Sequence, residues 1–135
     1  ASVIKSMGMN YDPHALSHYG GSPTRTDANR LRDKKCTEML GKFIDILKRT
    51  KEADESSLFE HTLLSWGTNL RHGHMIKDVP AIVAGGAGRL KMGHSIVLPE
   101  EDTPLGNLWV TLLQQAGVQV DSLGSSTGVL PELLA

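Results

Sequence analysis

Residues 103–117, TPLGNLWVTLLQQAG, carry the clearest structural signals in the chain. Thr103 is a suitable helix N-cap, Pro104 suits the first turn, and Gly117 is a typical stop. Apolar residues recur between these signals at three- and four-residue steps, which predicts a helix with one buried face. Those apolar residues are Leu105, Leu108, Trp109, Leu112, Leu113 and Ala116.

The preceding sequence predicts strands and a second helix. Apolar runs at 61–66 and 79–84 are typical of short buried strands, and the glycine-rich residues 85–88 predict a tight turn after the second run. Residues 27–51 have the three- and four-residue apolar spacing of a long amphipathic helix with one buried stripe. We therefore predict an α/β fold, a layered parallel or mixed sheet with flanking helices. Residues 1–26 are expected to be mostly loop, with one short strand at Val3 and Ile4 at most.

Length and composition limit the class of protein. With 135 residues and 39% hydrophobic content, the chain can bury one modest core, so we predict a single α/β unit over residues 1–135. Fourteen basic residues nearly balance fifteen acidic ones. Nucleic-acid and membrane-surface binding need a concentrated basic face, so neither is expected. The sequence has no apolar run long enough for a membrane span and no signal-peptide pattern at its start.

Four of the six histidines lie in two polar segments. His14 and His18 are four residues apart, and Asp12 and Pro13 predict a short helical turn that places both imidazoles on one face. Metal ligation or acid–base chemistry is one interpretation of this pair, and hydrogen bonds that brace a loop are the other. Ser17 could be a nucleophile, a phosphate ligand or a turn residue that bonds its own backbone.

The second pair, His72 and His74, lies between the two predicted strands. Their two-residue spacing sends both side chains to one side if the segment is extended, and the ends of strands often carry the sites of α/β proteins. Asn69 and Arg71 in the same loop could bind an anion, although solvated loop residues are an equally simple interpretation. His61 and His94 are expected to be structural.

Several segments together resemble the C-terminal portion of the HXXSHH family, secreted bacterial proteins of unknown function named for a His-x-x-Ser-His-His motif. Residues 14–19 read HALSHY, so Tyr19 stands where the motif has its last histidine. The other segments that carry the resemblance are residues 65–71, His74, 79–86, 102–109 and 126–128. The resemblance covers nearly the whole chain.

The resemblance implies a longer, exported parent protein, secreted or periplasmic, of which this chain is the C-terminal fragment. It also implies a fold like the C-terminal part of the alkaline phosphatase and sulfatase superfamily. In that superfamily a late histidine before a Pro-containing strand and a Gly-rich turn is a metal ligand. His74 fits this position best, and His72 is the fallback.

The function expected from this resemblance is a part of a metal-dependent hydrolase that acts on a phosphate or sulfate ester. His14, Ser17 and His18 would be catalytic, Asn69 and Arg71 would contact the anionic substrate, and a divalent ion, zinc first, would be the cofactor. A phenol is a poorer zinc ligand than imidazole, and the superfamily's nucleophile belongs to its N-terminal half. The alternative is a non-catalytic structural or binding module of an exported bacterial protein.

Overall fold

The computed structural model describes residues 5, 8, 10–86, 88–99, 101 and 103–135. Within them lie three α-helices: α1 (Pro13–Ser17), α2 (Pro23–Arg49) and α3 (Gly106–Gln115). Two strands, β1 (Leu63–Gly67) and β2 (Ala81–Gly85), form a sheet, and two short 3-10 helices span His72–His74 and Pro131–Leu133. The strand considered at residues 3 and 4 lies outside the described residues. Among the described helices, none has the length and apolar character that crossing a bilayer requires.

Helix α2 confirms the predicted long helix but begins one turn earlier, so the expectation of loop through residue 26 is wrong. Pro23 occupies the first helical turn, where its missing N–H costs nothing. Ser22 caps the helix: its hydroxyl accepts from the Arg25 N–H at 3.4 Å, and its carbonyl accepts from the Thr26 N–H at 3.0 Å. The Ser-Pro pair was therefore a start signal.

The buried stripe predicted for α2 is only partly present. Leu40 and Leu47 are buried, whereas Leu31, Met39 and Phe43 are 43%, 61% and 45% exposed. Burial of an apolar helix face requires another element against it, and the described residues contain little other secondary structure to cover a helix of 27 residues.

Strands β1 and β2 pair antiparallel, which differs from the predicted parallel or mixed sheet. A parallel pair needs a crossover connection, usually a helix, whereas the connection from 68 to 80 contains only the turn at His72–His74. Beyond the strand ends, the Thr68 N–H donates to the Pro80 carbonyl at 3.4 Å. The chain thus combines helices with a small antiparallel sheet.

Helix α3 confirms the best specified prediction, with a different start. It begins at Gly106, and the Thr103 hydroxyl donates to the Glu101 carbonyl at 3.3 Å, so Thr103 is not its cap. It ends at Gln115, two residues before the predicted stop signal Gly117, whose N–H donates to the Gln114 carbonyl at 2.9 Å. Trp109, expected on the buried face, is 40% exposed. Residues 118–135, all of which the structure describes, contain no strand.

The contacts within the chain define two compact units. The first contains the described residues up to Ile46 together with Gly67–Pro80, and it includes the buried Leu16. The second contains Leu47–Trp66 and Ala81–Ala135. Its core is formed by α3 and the chain around it, and the buried members are Leu90, Leu108, Leu112 and Leu130. Both predicted histidine pairs belong to the first unit, so that unit carries the candidate site.

Candidate metal centre

Helix α1 places His14 and His18 together, as the sequence predicts. Asp12 caps it, since its Oδ1 accepts from the backbone N–H groups of His14 at 2.9 Å and Ala15 at 3.1 Å. Leu16 is fully buried and fixes the other side of the turn. The rings of His14 and His18 consequently lie with centroids 4.8 Å apart.

His74 reaches this pair from the loop between the strands. The loop closes on itself, because the Arg71 N–H donates to the Met75 carbonyl at 2.7 Å and the His74 N–H donates to the Arg71 carbonyl at 3.2 Å. Gly73 and His74 both have a positive φ, 64° and 66°. That conformation is unfavourable for a residue with a side chain, and such backbone strain is often found at functional sites.

Three imidazoles converge where the loop meets α1. The Nε2 atoms of His18 and His74 are 3.1 Å apart, and the potential ligand atoms of His14, His18 and His74 all lie within 4.8 Å of one another. Zinc–nitrogen bonds of about 2.0–2.1 Å in a tetrahedral site hold two ligand nitrogens about 3.3 Å apart. The pair from His18 and His74 already has this spacing, and His14 needs only a small side-chain movement. These three residues could hold a metal ion.

The electrostatics of the cluster favour a neutral ring at His18. Desolvation lowers the pKa of His18 below its usual value, and repulsion from the charged forms of His74, His14 and His72 lowers it further, in that order. A neutral imidazole has the free lone pair that a metal requires. Imidazole nitrogens suit zinc, copper, iron and nickel, whereas magnesium and calcium prefer oxygen ligands.

His72 lies beside the cluster but is not one of the three converging ligands. Its Nε2 accepts a hydrogen bond from the Gly20 N–H at 2.9 Å, and the Tyr19 ring lies 4.6 Å from its ring, centroid to centroid. Its ring centroid is 6.5 Å from that of His18. Tyr19 and Gly20 therefore both contact His72.

The other candidate residues lie nearby with their own contacts. The Ser17 hydroxyl donates to the His14 carbonyl at 2.6 Å, the backbone bond of a turn residue. Arg71 forms an ion pair with Asp78 at 2.6 Å, and Asn69 is exposed. Their catalytic and substrate-binding roles stay predictions. Sequence reasoning missed Asp78, because no local pattern links it to Arg71 seven residues earlier.

Comparisons of the chain with protein-family models, with curated proteins and with solved structures returned no significant match.

Proposed function

We propose that the chain binds a divalent metal ion, zinc by preference, through His14, His18 and His74. The observation that supports this is the convergence of three imidazoles from segments 56 residues apart in sequence, with two ring nitrogens at 3.1 Å. Without an ion, clustered histidines repel one another when protonated, and a metal ion converts this repulsion into shared ligation. A three-nitrogen set without a carboxylate suits zinc among the abundant divalent ions.

We further propose that this site is the C-terminal contribution to an HXXSHH-family hydrolase of phosphate or sulfate esters. Three protein ligands leave one coordination position of a tetrahedral ion open, as in catalytic zinc sites. A bound ion would supply Lewis-acid polarisation of an ester oxygen. Asn69 and Arg71 belong to the same loop as His74, and they would contact the anionic ester. The nucleophile, the alkaline-phosphatase-like layers and the exported location of the parent protein belong to this proposal.

A specific observation favours the second candidate, a non-catalytic metal-binding module. The Ser17 hydroxyl is bonded to its own helix turn, and the guanidinium of Arg71 is paired with Asp78. An anionic substrate would have to displace the carboxylate of Asp78 before Arg71 could bind it. A structural metal site needs neither group.

Both candidate functions require a metal ion bound by His14, His18 and His74, and the metal content of the protein after dialysis tests this requirement. We expect near one equivalent of zinc in the parent chain by elemental analysis and a titratable affinity by calorimetry. His74→Ala removes one of three ligands and should abolish stoichiometric binding. His94→Ala is the matched control, because His94 is exposed and belongs to the second unit. Equal zinc in the parent chain and in His74→Ala would contradict the site. Phosphatase and sulfatase assays on the zinc-loaded longer protein, which would include the nucleophile, then separate the hydrolase from the non-catalytic module.

A further inference from the structure

We infer that His72 is a positioning residue that fixes the 67–80 loop on the α1 turn and so holds His74 opposite His14 and His18. The inference rests on the metal-binding function proposed above. It assigns His72 a role different from ligation, through its hydrogen bond with Gly20.

The contact between His72 and Gly20 is close and specific. The Gly20 N–H donates to the Nε2 of His72 at 2.9 Å. A Cβ on residue 20 would lie 2.7 Å from that nitrogen and 2.8 Å from the neighbouring Cε1, closer than side-chain carbons approach other atoms. Glycine at this position therefore lets the backbone come within hydrogen-bond distance of the ring. The ring of Tyr19 lies against the same imidazole, with centroids 4.6 Å apart and planes inclined by 50°.

The hydrogen bond from Gly20 also determines whether the Nε2 of His72 is available to a metal ion. The lone pair of Nε2 is directed at the Gly20 amide, so an ion could use it only after that bond broke. Among the described residues, no backbone group bonds a ring nitrogen of His14, His18 or His74, and the Nε2 atoms of His18 and His74 instead face each other at 3.1 Å. His14, His18 and His74 would thus be the ligands, and His72 would be a supporting residue that orients one of them. Such supporting residues are common around metal sites.

The position of His72 restrains that of His74, because the two residues belong to a single tight turn. The Met75 N–H donates to the His72 carbonyl at 3.4 Å, so the two histidines share the 3-10 helix at His72–His74. His74 has a φ of 66°, which an unrestrained chain would leave. Fixing one end of this turn at Gly20 therefore restricts where the imidazole of His74 can be.

Three variants in the full chain test the inference by zinc affinity, measured in competition with a chelating dye. His72→Leu keeps bulk but cannot accept from Gly20, and zinc binding should weaken about 10- to 100-fold, the usual effect of losing a supporting residue. His72→Gln places an amide oxygen where Nε2 lies and should restore most of the affinity. Gly20→Ala disrupts the same contact from the other partner and should weaken binding as His72→Leu does.

Visible absorption of the cobalt-substituted proteins separates positioning from ligation. Positioning predicts the same cobalt bands in the parent chain and in His72→Gln, because the three ligands are unchanged. Altered bands with weak binding in His72→Gln would make His72 a ligand and overturn the inference. Unchanged affinity in both His72→Leu and Gly20→Ala would also overturn it. A parent chain that binds neither zinc nor cobalt contradicts the proposed function itself, which is a different result from either of these.

Discussion

Replacing Gly85 with alanine should destabilise the second unit more than the same replacement at Gly88. Both glycines have a positive φ, 87° and 77°, so alanine at either position carries a strain of about 1–2 kcal/mol. They differ in their surroundings. A Cβ on Gly85 would lie 1.9 Å from the Thr62 carbonyl oxygen and 2.9 Å from that of Phe59, whereas a Cβ on Gly88 meets nothing within 4 Å.

The expected difference in free energy of unfolding follows from the close approach of the carbonyl oxygens to residue 85. A carbon and a carbonyl oxygen rest at about 3.3 Å or more, so the alanine must push the backbone of Thr62 or Gly85 by over an ångström. Backbone displacement in a packed region costs about 1–3 kcal/mol, in addition to the strain that both variants share. The free energy of unfolding of Gly85→Ala should therefore be about 1–3 kcal/mol lower than that of Gly88→Ala.

Urea unfolding followed by tryptophan fluorescence measures this difference. The two tryptophans, Trp66 and Trp109, both belong to the second unit, which contains Gly85 and Gly88 as well. The signal therefore reports on the unit that the substitutions change. A difference between the variants below about 0.5 kcal/mol, the usual scatter of surface substitutions, would refute the reasoning. It would mean that the close approach of residue 85 to Thr62 does not constrain the folded chain.

Two further predictions concern single carboxylates. Asp12→Ala removes the cap of α1 and should weaken zinc binding about fivefold, since a lost N-cap costs about 1 kcal/mol. Asp12→Asn retains a cap oxygen and is the control. Equal zinc affinities in the two variants would contradict this role of the cap. Hydrogen bonds from the Ser57 N–H and then from its hydroxyl lower the pKa of Glu60 below its ordinary value. The stabilisation from Glu60 is therefore complete above the unfolded-state pKa and is lost as the pH falls through the lower folded-state value. Glu60→Gln should reduce the fall in melting temperature between about pH 5 and pH 2, and an unchanged fall would count against this bond.

The sequence predicts the features of this chain that depend on neighbouring residues. Asp12 and Pro13 define the α1 turn, and the spacing of His14 and His18 puts their rings together, because capping and helical periodicity act within one turn. The approach of His74 to them depends on a hydrogen-bonded loop 56 residues away, which no local pattern specifies. Their two-residue spacing marked His72 and His74 alike, and only the untested family resemblance preferred His74.

For the same reason, local sequence patterns do not specify the pairing direction of the strands or which helix faces are buried. Apolar runs predict strands, but the pairing direction depends on the path of residues 68–80, which has no sequence signature of its own. The apolar spacing of α2 likewise marks Met39 and Phe43 as suited to burial, yet both are exposed. Periodicity shows which face of a helix is apolar and not which element covers it.

The distance along the chain between the histidines of the candidate site has a consequence for folding. An ion shared by His18 and His74 joins segments 56 residues apart, and it binds the folded arrangement rather than the unfolded chain. Mass action then stabilises the first unit, by about 2.7 kcal/mol when free ion exceeds its dissociation constant a hundredfold. That is a large share of the total stability of about 5–15 kcal/mol that most domains possess. On the proposed function, a chelator that removes the ion would lower the free energy of unfolding of the first unit, as a denaturant does.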